Sequence, residues 1–344
     1  MSQSSMFNIS IFFECLFTFF VSFILIYFVR EHAYKWGFTD IPNHRSTHVH
    51  HTVSGAGIGF YLAVAFVVAL FNFEMLQSYI WTFLAIFLIF VVGVLDDHKD
   101  TSPNTKFIVM VLATVLIYFD GLVIDDLGMY WGTKLSLGWF ALPFTVFAVT
   151  GFTNALNLID GLDGLAGTVS IVILGGFFVV GYQHDDAFMM LISGAFISAL
   201  LAFLLYNWHP ASIFMGDSGS LTLGFTIAVL AIRSLDYLPS VSVLFVAALP
   251  ILDTMVVMIR RKQNGRSIFS ADRCHMHHIL RHFFAEDTRR TVLFLGIFQA
   301  IYTFIGIQMH KGTDNVYLFI LFVLNVILFY LFLGAMIKRQ KRKC

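Results

Sequence analysis

The hydrocarbon core of a bilayer is about 30 Å thick, so a helix needs about 20 apolar residues to cross it. This sequence contains eleven apolar segments near that length, at approximately 10–29, 54–73, 79–95, 107–123, 139–156, 164–182, 187–206, 219–233, 239–259, 291–309 and 316–336. No other feature constrains the fold as strongly. Inside lipid every backbone N–H and C=O must find its partner within the chain, which leaves only helices and closed barrels. The apolar runs are continuous rather than alternating, and this argues against a barrel. Composition agrees, with 58% hydrophobic and 12% charged residues against about 25% charged in soluble domains. The expected fold is an all-α polytopic integral membrane protein of about 11 transmembrane helices, with residues 1–344 forming a single transmembrane domain.

An odd number of spans puts the termini on opposite sides, and Lys and Arg decide which is which. With the C-terminus cytoplasmic, 18 of the 21 Lys and Arg face the cytoplasm and only Lys134, Arg233 and Lys311 face outward. That asymmetry follows the positive-inside rule, so the N-terminus is expected outside. The cytoplasmic loops then lie at 30–53, 96–106, 157–163, 207–218 and 260–290. They hold 11 of the 13 histidines. The longest outer loop, Asp120–Gly138, reads as an acidic solvated segment. Lys+Arg and Asp+Glu are equal at 21 each, which argues against nucleic acid as a partner. Cys15, Cys274 and Cys344 show neither disulfide nor metal spacing, and Met1–Ser10 lacks the basic region of a cleaved signal peptide.

Five cytoplasmic constellations carry the chemistry. The first is Asp40–His48, with Arg45 and His48, followed by His50, His51 and Gly55–Ala56–Gly57. It fits a phosphate-holding loop or an ordinary basic loop. The second is the Asp96–Asp97 pair ending the third span; neighbouring carboxylates raise each other's proton affinity and suit metal binding or proton abstraction, or simply end a helix in water. The third is Asn154-x-x-Asn157-x-x-Asp160-Gly-x-Asp163-Gly164. Its spacing of three keeps the amides and carboxylates near one helix face. Such groups are costly at a membrane edge unless used, and their oxygens are the hard ligands that Mg2+ prefers. The fourth is Gly216-Asp217-Ser218-Gly219-Ser220, where Asp217 offers a metal ligand and a helix N-terminus offers N–H groups to phosphate; simple N-capping by Asp217 or Ser218 is the alternative. The fifth runs from Arg260 to His278 and combines Arg266, Arg273, His275, His277 and His278. It suits a polyanionic substrate, or a basic loop on anionic lipid. Two intramembrane acids remain. Glu14 lies in the first span, and Asp253 in the ninth is expected to pair with Arg260 and Arg261.

Taken together and in order, these blocks resemble one family, the polyprenyl-phosphate N-acetylhexosamine-1-phosphate transferases (glycosyltransferase family 4), and within it the WecA-like bacterial branch. The resemblance rests on D-x-P-N-x-R-x-x-H at Asp40–His48, Asp96–Asp97, N-x-x-N-x-x-D-G-x-D-G at Asn154–Gly164, G-D-S-G-S at Gly216–Ser220 and G-R-S-x-F-S-x-D-R-x-H-x-H-H at Gly265–His278. The first loop departs from the family pattern, reading His51-Thr-Val-Ser-Gly-Ala-Gly57 where many relatives carry a P-x-P-x-G-G-like run.

The resemblance implies a reaction. N-acetylhexosamine-1-phosphate, with N-acetylglucosamine as the default sugar, passes from a UDP-amino sugar to undecaprenyl phosphate with release of UMP. It also implies Mg2+, with Mn2+ as an alternative, held by Asp217 and Asn157. Asp96 would deprotonate or position the lipid phosphate, supported by Asp97. Asn154, Asp160 and Asp163 would shape the nucleotide pocket. Arg266, His275, His277 and His278 would hold the diphosphate and sugar, with Arg45 and His48 as further candidates. A homodimer in the bacterial inner membrane, with its active site facing the cytoplasm, is the expected setting. Two readings from other classes compete. His48-x-His50-His51 and His275-x-His277-His278 resemble the histidine boxes of a membrane di-iron oxygenase or desaturase, but leave the Asn154–Gly164 and Gly216–Ser220 blocks without a purpose. A secondary transporter would use the carboxylates as ion sites, yet they cluster at one membrane edge. Within the family, a transferase for the peptide-bearing muramic acid nucleotide is a third alternative.

Overall fold

A computed structural model describes residues 3–40, 52–267, 275–312 and 314–339. Its helices are α1 (Gln3–His32), α2 (Ala56–Phe71), α3 (Phe73–Ser78), α4 (Ile80–His98), α5 (Pro103–Tyr118), α6 (Ala141–Ile159), α7 (Leu165–Gln183), α8 (Ala187–Asn207), α9 (Asp217–Ser234), α10 (Ser240–Val246), α11 (Ala248–Gln263), α12 (Met276–Phe283), α13 (Thr288–Ile307) and α14 (Asn315–Arg339). Every one of the eleven apolar segments is helical. Among the described residues seven helices can cross a membrane by length and apolarity, and an eighth span is available if α10 and α11, bent by 90° at Ala247, count as one. The remaining segments correspond to α2 and α5, of 16 residues each, and to α9.

The shortfall in α9 has a physical cause. Its residues from Ser218 to Leu230 are all buried. It packs against α2, α4, α6, α7 and α8, so it meets protein where its neighbours meet lipid. Its threonine hydroxyls are satisfied on its own backbone, Thr222 donating to Ser218 O at 2.6 Å and Thr226 to Thr222 O at 2.8 Å. A helix lined this way tolerates polar residues that a lipid-facing helix would not. The opposite pattern holds for α1 and α14, whose outward faces expose Phe12, Phe13, Phe20, Ile24, Leu328 and Leu331.

Two features depart from a purely helical expectation. Thr39–Asp40 (β1) pairs antiparallel with Thr52–Val53 (β2), and Asp126–Tyr130 (β3) with Thr133–Ser136 (β4). The second pair lies inside Asp120–Gly138, where a 2.7 Å Lys134–Asp126 ion pair clasps a hairpin whose β4 strand is exposed, as expected of a solvated segment. Glu14 is met by Ser10 Oγ at 2.8 Å and by Asn72 Nδ2, between α2 and α3, at 2.7 Å. Asp253 does not follow the expectation from its neighbours in sequence. Its carboxylate accepts from His275 Nδ1 at 2.7 Å and from Met276 N–H at 2.6 Å.

Candidate active site

The described parts of all five constellations meet at one end of the helix bundle. The end of α4 supplies Asp96 and Asp97, the first turn of α5 supplies Lys106, the end of α6 supplies Asn157 and Asp160, and the start of α9 supplies Asp217. The chain before α2 is drawn in by backbone bonds, Phe214 N–H to Val53 O at 2.9 Å and Ala56 N–H to Phe214 O at 3.1 Å. Arg45 and His48, with Arg273, lie outside the described residues.

Asp217 is the hub. Its Oδ2 accepts from Lys106 Nζ at 2.7 Å and its Oδ1 from Asn157 Nδ2 at 2.9 Å. Asn157 Nδ2 also donates to Ser220 Oγ at 2.8 Å, and its carbonyl Oδ1 takes part in neither bond. Lys106 reaches Asp96 Oδ2 at 2.8 Å as well, while Asp96 Oδ1 accepts from Thr101 N–H at 2.9 Å and Thr101 Oγ1 at 2.7 Å. One ammonium is therefore shared by two carboxylates from different helices. In the sequence Lys106 stands only as a loop charge. The available signal is a lysine in the first turn of an apolar helix whose start is fixed by Pro103 and by Ser102 Oγ accepting from Thr105 N–H. Such a side chain stays at the membrane edge.

Asp97 has a different role. Its Oδ1 accepts from Asp217 N–H at 2.7 Å, and its Oδ2 from Ser218 N–H at 3.1 Å and Ser218 Oγ at 2.5 Å. A carboxylate from α4 thus caps the positive end of α9, a favourable pairing of anion and helix dipole. This corrects two expectations. The cap comes from neither Asp217 nor Ser218, and the first N–H groups of α9 are not open to phosphate because Asp97 already fills them. Gly216, with φ of +73°, makes the turn that brings them there.

Asp160 comes directly after α6, and its carboxyl has no hydrogen bond among the described residues. Burial, then the charges of Asp217, Asp97 and Asp163, push its carboxyl up to about 7. A raised carboxyl binds its proton more tightly in the folded than in the unfolded chain, so its stabilising contribution is present at low pH and fades as pH rises from about 4 to about 7. Asp160→Asn should accordingly gain thermal stability over the wild type at pH 8, with the gain vanishing towards pH 4. Paired melting curves in detergent measure the difference, and parallel curves across pH would disprove it.

The other expected residues divide. Asp163 Oδ2 accepts from His209 Nδ1 at 2.7 Å and Ala211 N–H at 3.1 Å, which ties it to the 208–212 turn rather than to the Asp217 network. Asn154 is exposed and donates to Thr150 O at 2.8 Å on its own helix, outside that network. Arg266 is exposed in the turn after α11, its N–H donating to Arg261 O at 2.9 Å. His275 and His277 are buried, with the His278 ring centred 4.2 Å from that of His277. Burial, then His278 and His275, hold the His277 imidazole well below the usual histidine range.

Residues 79–235 match the family model described as glycosyl transferase family 4. The chain is 32% identical over 303 residues to a probable undecaprenyl-phosphate N-acetylglucosaminyl 1-phosphate transferase of Bacillus subtilis (strain 168), covering 87% of this chain and 84% of that one. The chain belongs to glycosyl transferase family 4. Two further relatives of this family 4 chain are undecaprenyl-phosphate alpha-N-acetylglucosaminyl 1-phosphate transferases. That of Yersinia pestis is 30% identical over 304 residues, 86% of this chain and 83% of the relative. That of Escherichia coli (strain K12) is 28% identical over 326 residues, 92% and 88% respectively. The apolar helices and these membrane-enzyme relatives mark the family 4 chain as a multi-pass membrane protein. The segment matched by the family model contains Asp96, Asp97, Lys106, Asn157, Asp160 and Asp217; the histidine cluster lies beyond it.

Proposed function

We propose that this chain transfers N-acetylglucosamine-1-phosphate from UDP-N-acetylglucosamine to undecaprenyl phosphate and releases UMP. The observation that carries the reading is the convergence of Asp96, Lys106, Asn157 and Asp217 in a chain whose relatives bear that activity in their names. The relatives favour it over a di-iron oxygenase or a transporter. The proposed topology is eleven spans with the N-terminus outside, which puts the carboxylate end of the bundle at the cytoplasmic face of the bacterial inner membrane, where UDP-sugars are found.

The reaction must bring two anions together, a lipid phosphate and a nucleotide diphosphate. Catalysis is then mostly positioning and neutralisation of charge. Asp217 and the carbonyl of Asn157 present hard oxygen donors suited to Mg2+ or Mn2+. The position of Lys106, within 2.8 Å of both Asp96 and Asp217, marks a place where those two carboxylates already share a cation. A bound divalent ion would supply Lewis-acid polarisation of the diphosphate. Lys106 contributes a second positive charge beside it. Asp96, fixed by Thr101, holds the attacking lipid phosphate in line or takes its proton. Asp97 acts through α9 by keeping Asp217 at the helix start.

The test is reconstitution. Purified protein with undecaprenyl phosphate, UDP-N-acetylglucosamine and Mg2+ should yield UMP and a lipid-linked sugar of the expected mass, and chelation should stop both. Folded protein that makes no product with any of a panel of UDP-amino sugars would overturn the reading.

A further inference from the structure

Asp253 is a buried acid that the reaction as described leaves without a use. It lies in α11, beyond the 90° bend, and is only 1% exposed. Its two oxygens divide their work. Oδ1 accepts from Met276 N–H at 2.6 Å, at the start of α12. Oδ2 accepts from His275 Nδ1 at 2.7 Å. His275 itself is 5% exposed. The pairing fixes the ring chemically, because a carboxylate can only accept, so the Nδ1 facing it carries the proton. The other ring nitrogen, Nε2, is then directed away from Asp253. An acid that sets the tautomer and angle of a histidine is the arrangement by which buried carboxylates orient working imidazoles.

The same contact also constrains the neighbouring histidine. His277 lies two residues on, its ring nearly parallel to that of His275 with centroids 5.8 Å apart. His277 Nε2 is buried without a hydrogen-bond partner among the described residues. It is directed at the turn after α6: a Cβ added at Gly161 would stand 2.5 Å from it. Gly161 directly follows Asp160. One carboxylate thus ties α11 to the histidine segment, and the histidine segment rests on the turn that carries Asp160.

We infer that Asp253 is a positioning residue that acts through His275, holding the histidine segment against the Asn157–Asp160 turn so that it engages the nucleotide sugar. The inference rests on the transferase reading. Asp253→Asn keeps the side chain's size and an oxygen for Met276 N–H, but places an amide N–H2 against His275 Nδ1. Both cannot donate, so the ring must change tautomer or turn.

The experiment measures kcat and KM for both substrates in the wild type, Asp253→Asn, His275→Gln and the double variant, with melting curves for each. The expected result is a drop of about 10- to 100-fold in kcat/KM for the UDP-sugar in each single variant. KM for undecaprenyl phosphate should stay within about twofold, and the double variant should be no worse than the poorer single one. Losses that multiply in the double variant would show that Asp253 does not act through His275. A lower melting temperature with unchanged kinetic constants would reduce Asp253 to a structural role. Should Asp253→Asn fail to fold, His275→Gln decides alone, since an unchanged UDP-sugar KM there leaves Asp253 nothing to position. A wild type that transfers nothing overturns the transferase reading instead.

Discussion

Asp217→Ala is expected to release UMP about a thousandfold more slowly than the wild type at saturating substrates, a loss of the size seen when a charge-stabilising group is removed from an active site. Three things go together in this variant. Lys106 keeps Asp96 but loses its 2.7 Å partner on α9, Asn157 loses its 2.9 Å acceptor, and the hard oxygen ligands beside them are halved. Binding of Mn2+, followed by electron paramagnetic resonance, should weaken in parallel, which separates a lost ligand from a misplaced substrate. The cap on α9 should survive, because Asp97 bonds the backbone of residue 217 rather than its side chain. The melting temperature should therefore stay close to wild type. Retention of more than a tenth of the activity would remove Asp217 from the centre of the site.

The second large effect comes from a residue without a side chain. At Gly93, α4 passes so close to the start of α9 that an added Cβ would stand 2.5 Å from Ser218 Cα and 2.6 Å from Asp217 O. Those obstacles are backbone, so no rotamer change can relieve them. Gly93→Ala must push the two helices apart, and the first bonds to stretch are those from Asp97 to Asp217 and Ser218. Overpacking of this kind costs about 1–3 kcal/mol even where side chains can yield. We expect activity to fall at least about a hundredfold with a clear drop in melting temperature. Gly175→Ala is the control, since nothing lies within 4 Å of its added Cβ. Matching behaviour of the two variants would mean that α4 and α9 are not in register as described.

The elements are legible in the sequence because lipid leaves the chain few choices. Each long apolar run is a helix, and the blocks rich in Asp and Asn fall at helix ends where polar groups are tolerated. Partnership across sequence distance is what escapes such a reading. Asp253 has Arg260 and Arg261 seven and eight residues away, but its partner His275 lies 22 residues on, reached by a chain reversal that periodicity does not encode. Lys106 looks like one of many positive-inside charges until α9 places Asp217 beside it, 111 residues later. Asp160 and Asp163 share one motif yet part ways, because the turn after Gly161 directs Asp163 to His209. The hairpin of Asp126–Ser136 is hidden because strands this short have no long alternating pattern to show.

The burial of α9 on all sides also bears on how the protein is made. A segment with Asp217 at one end, Arg233 at the other and Ser and Thr between them partitions poorly into lipid on its own. Its packing partners α2, α4, α6, α7 and α8 all precede it in the chain. They can therefore leave the insertion machinery first and form a protein-lined slot for the later helix. In such an order of synthesis, the helix that carries Asp217 enters the membrane only where its neighbours have already assembled, so a chain with a damaged slot would strand α9 before any active site could form.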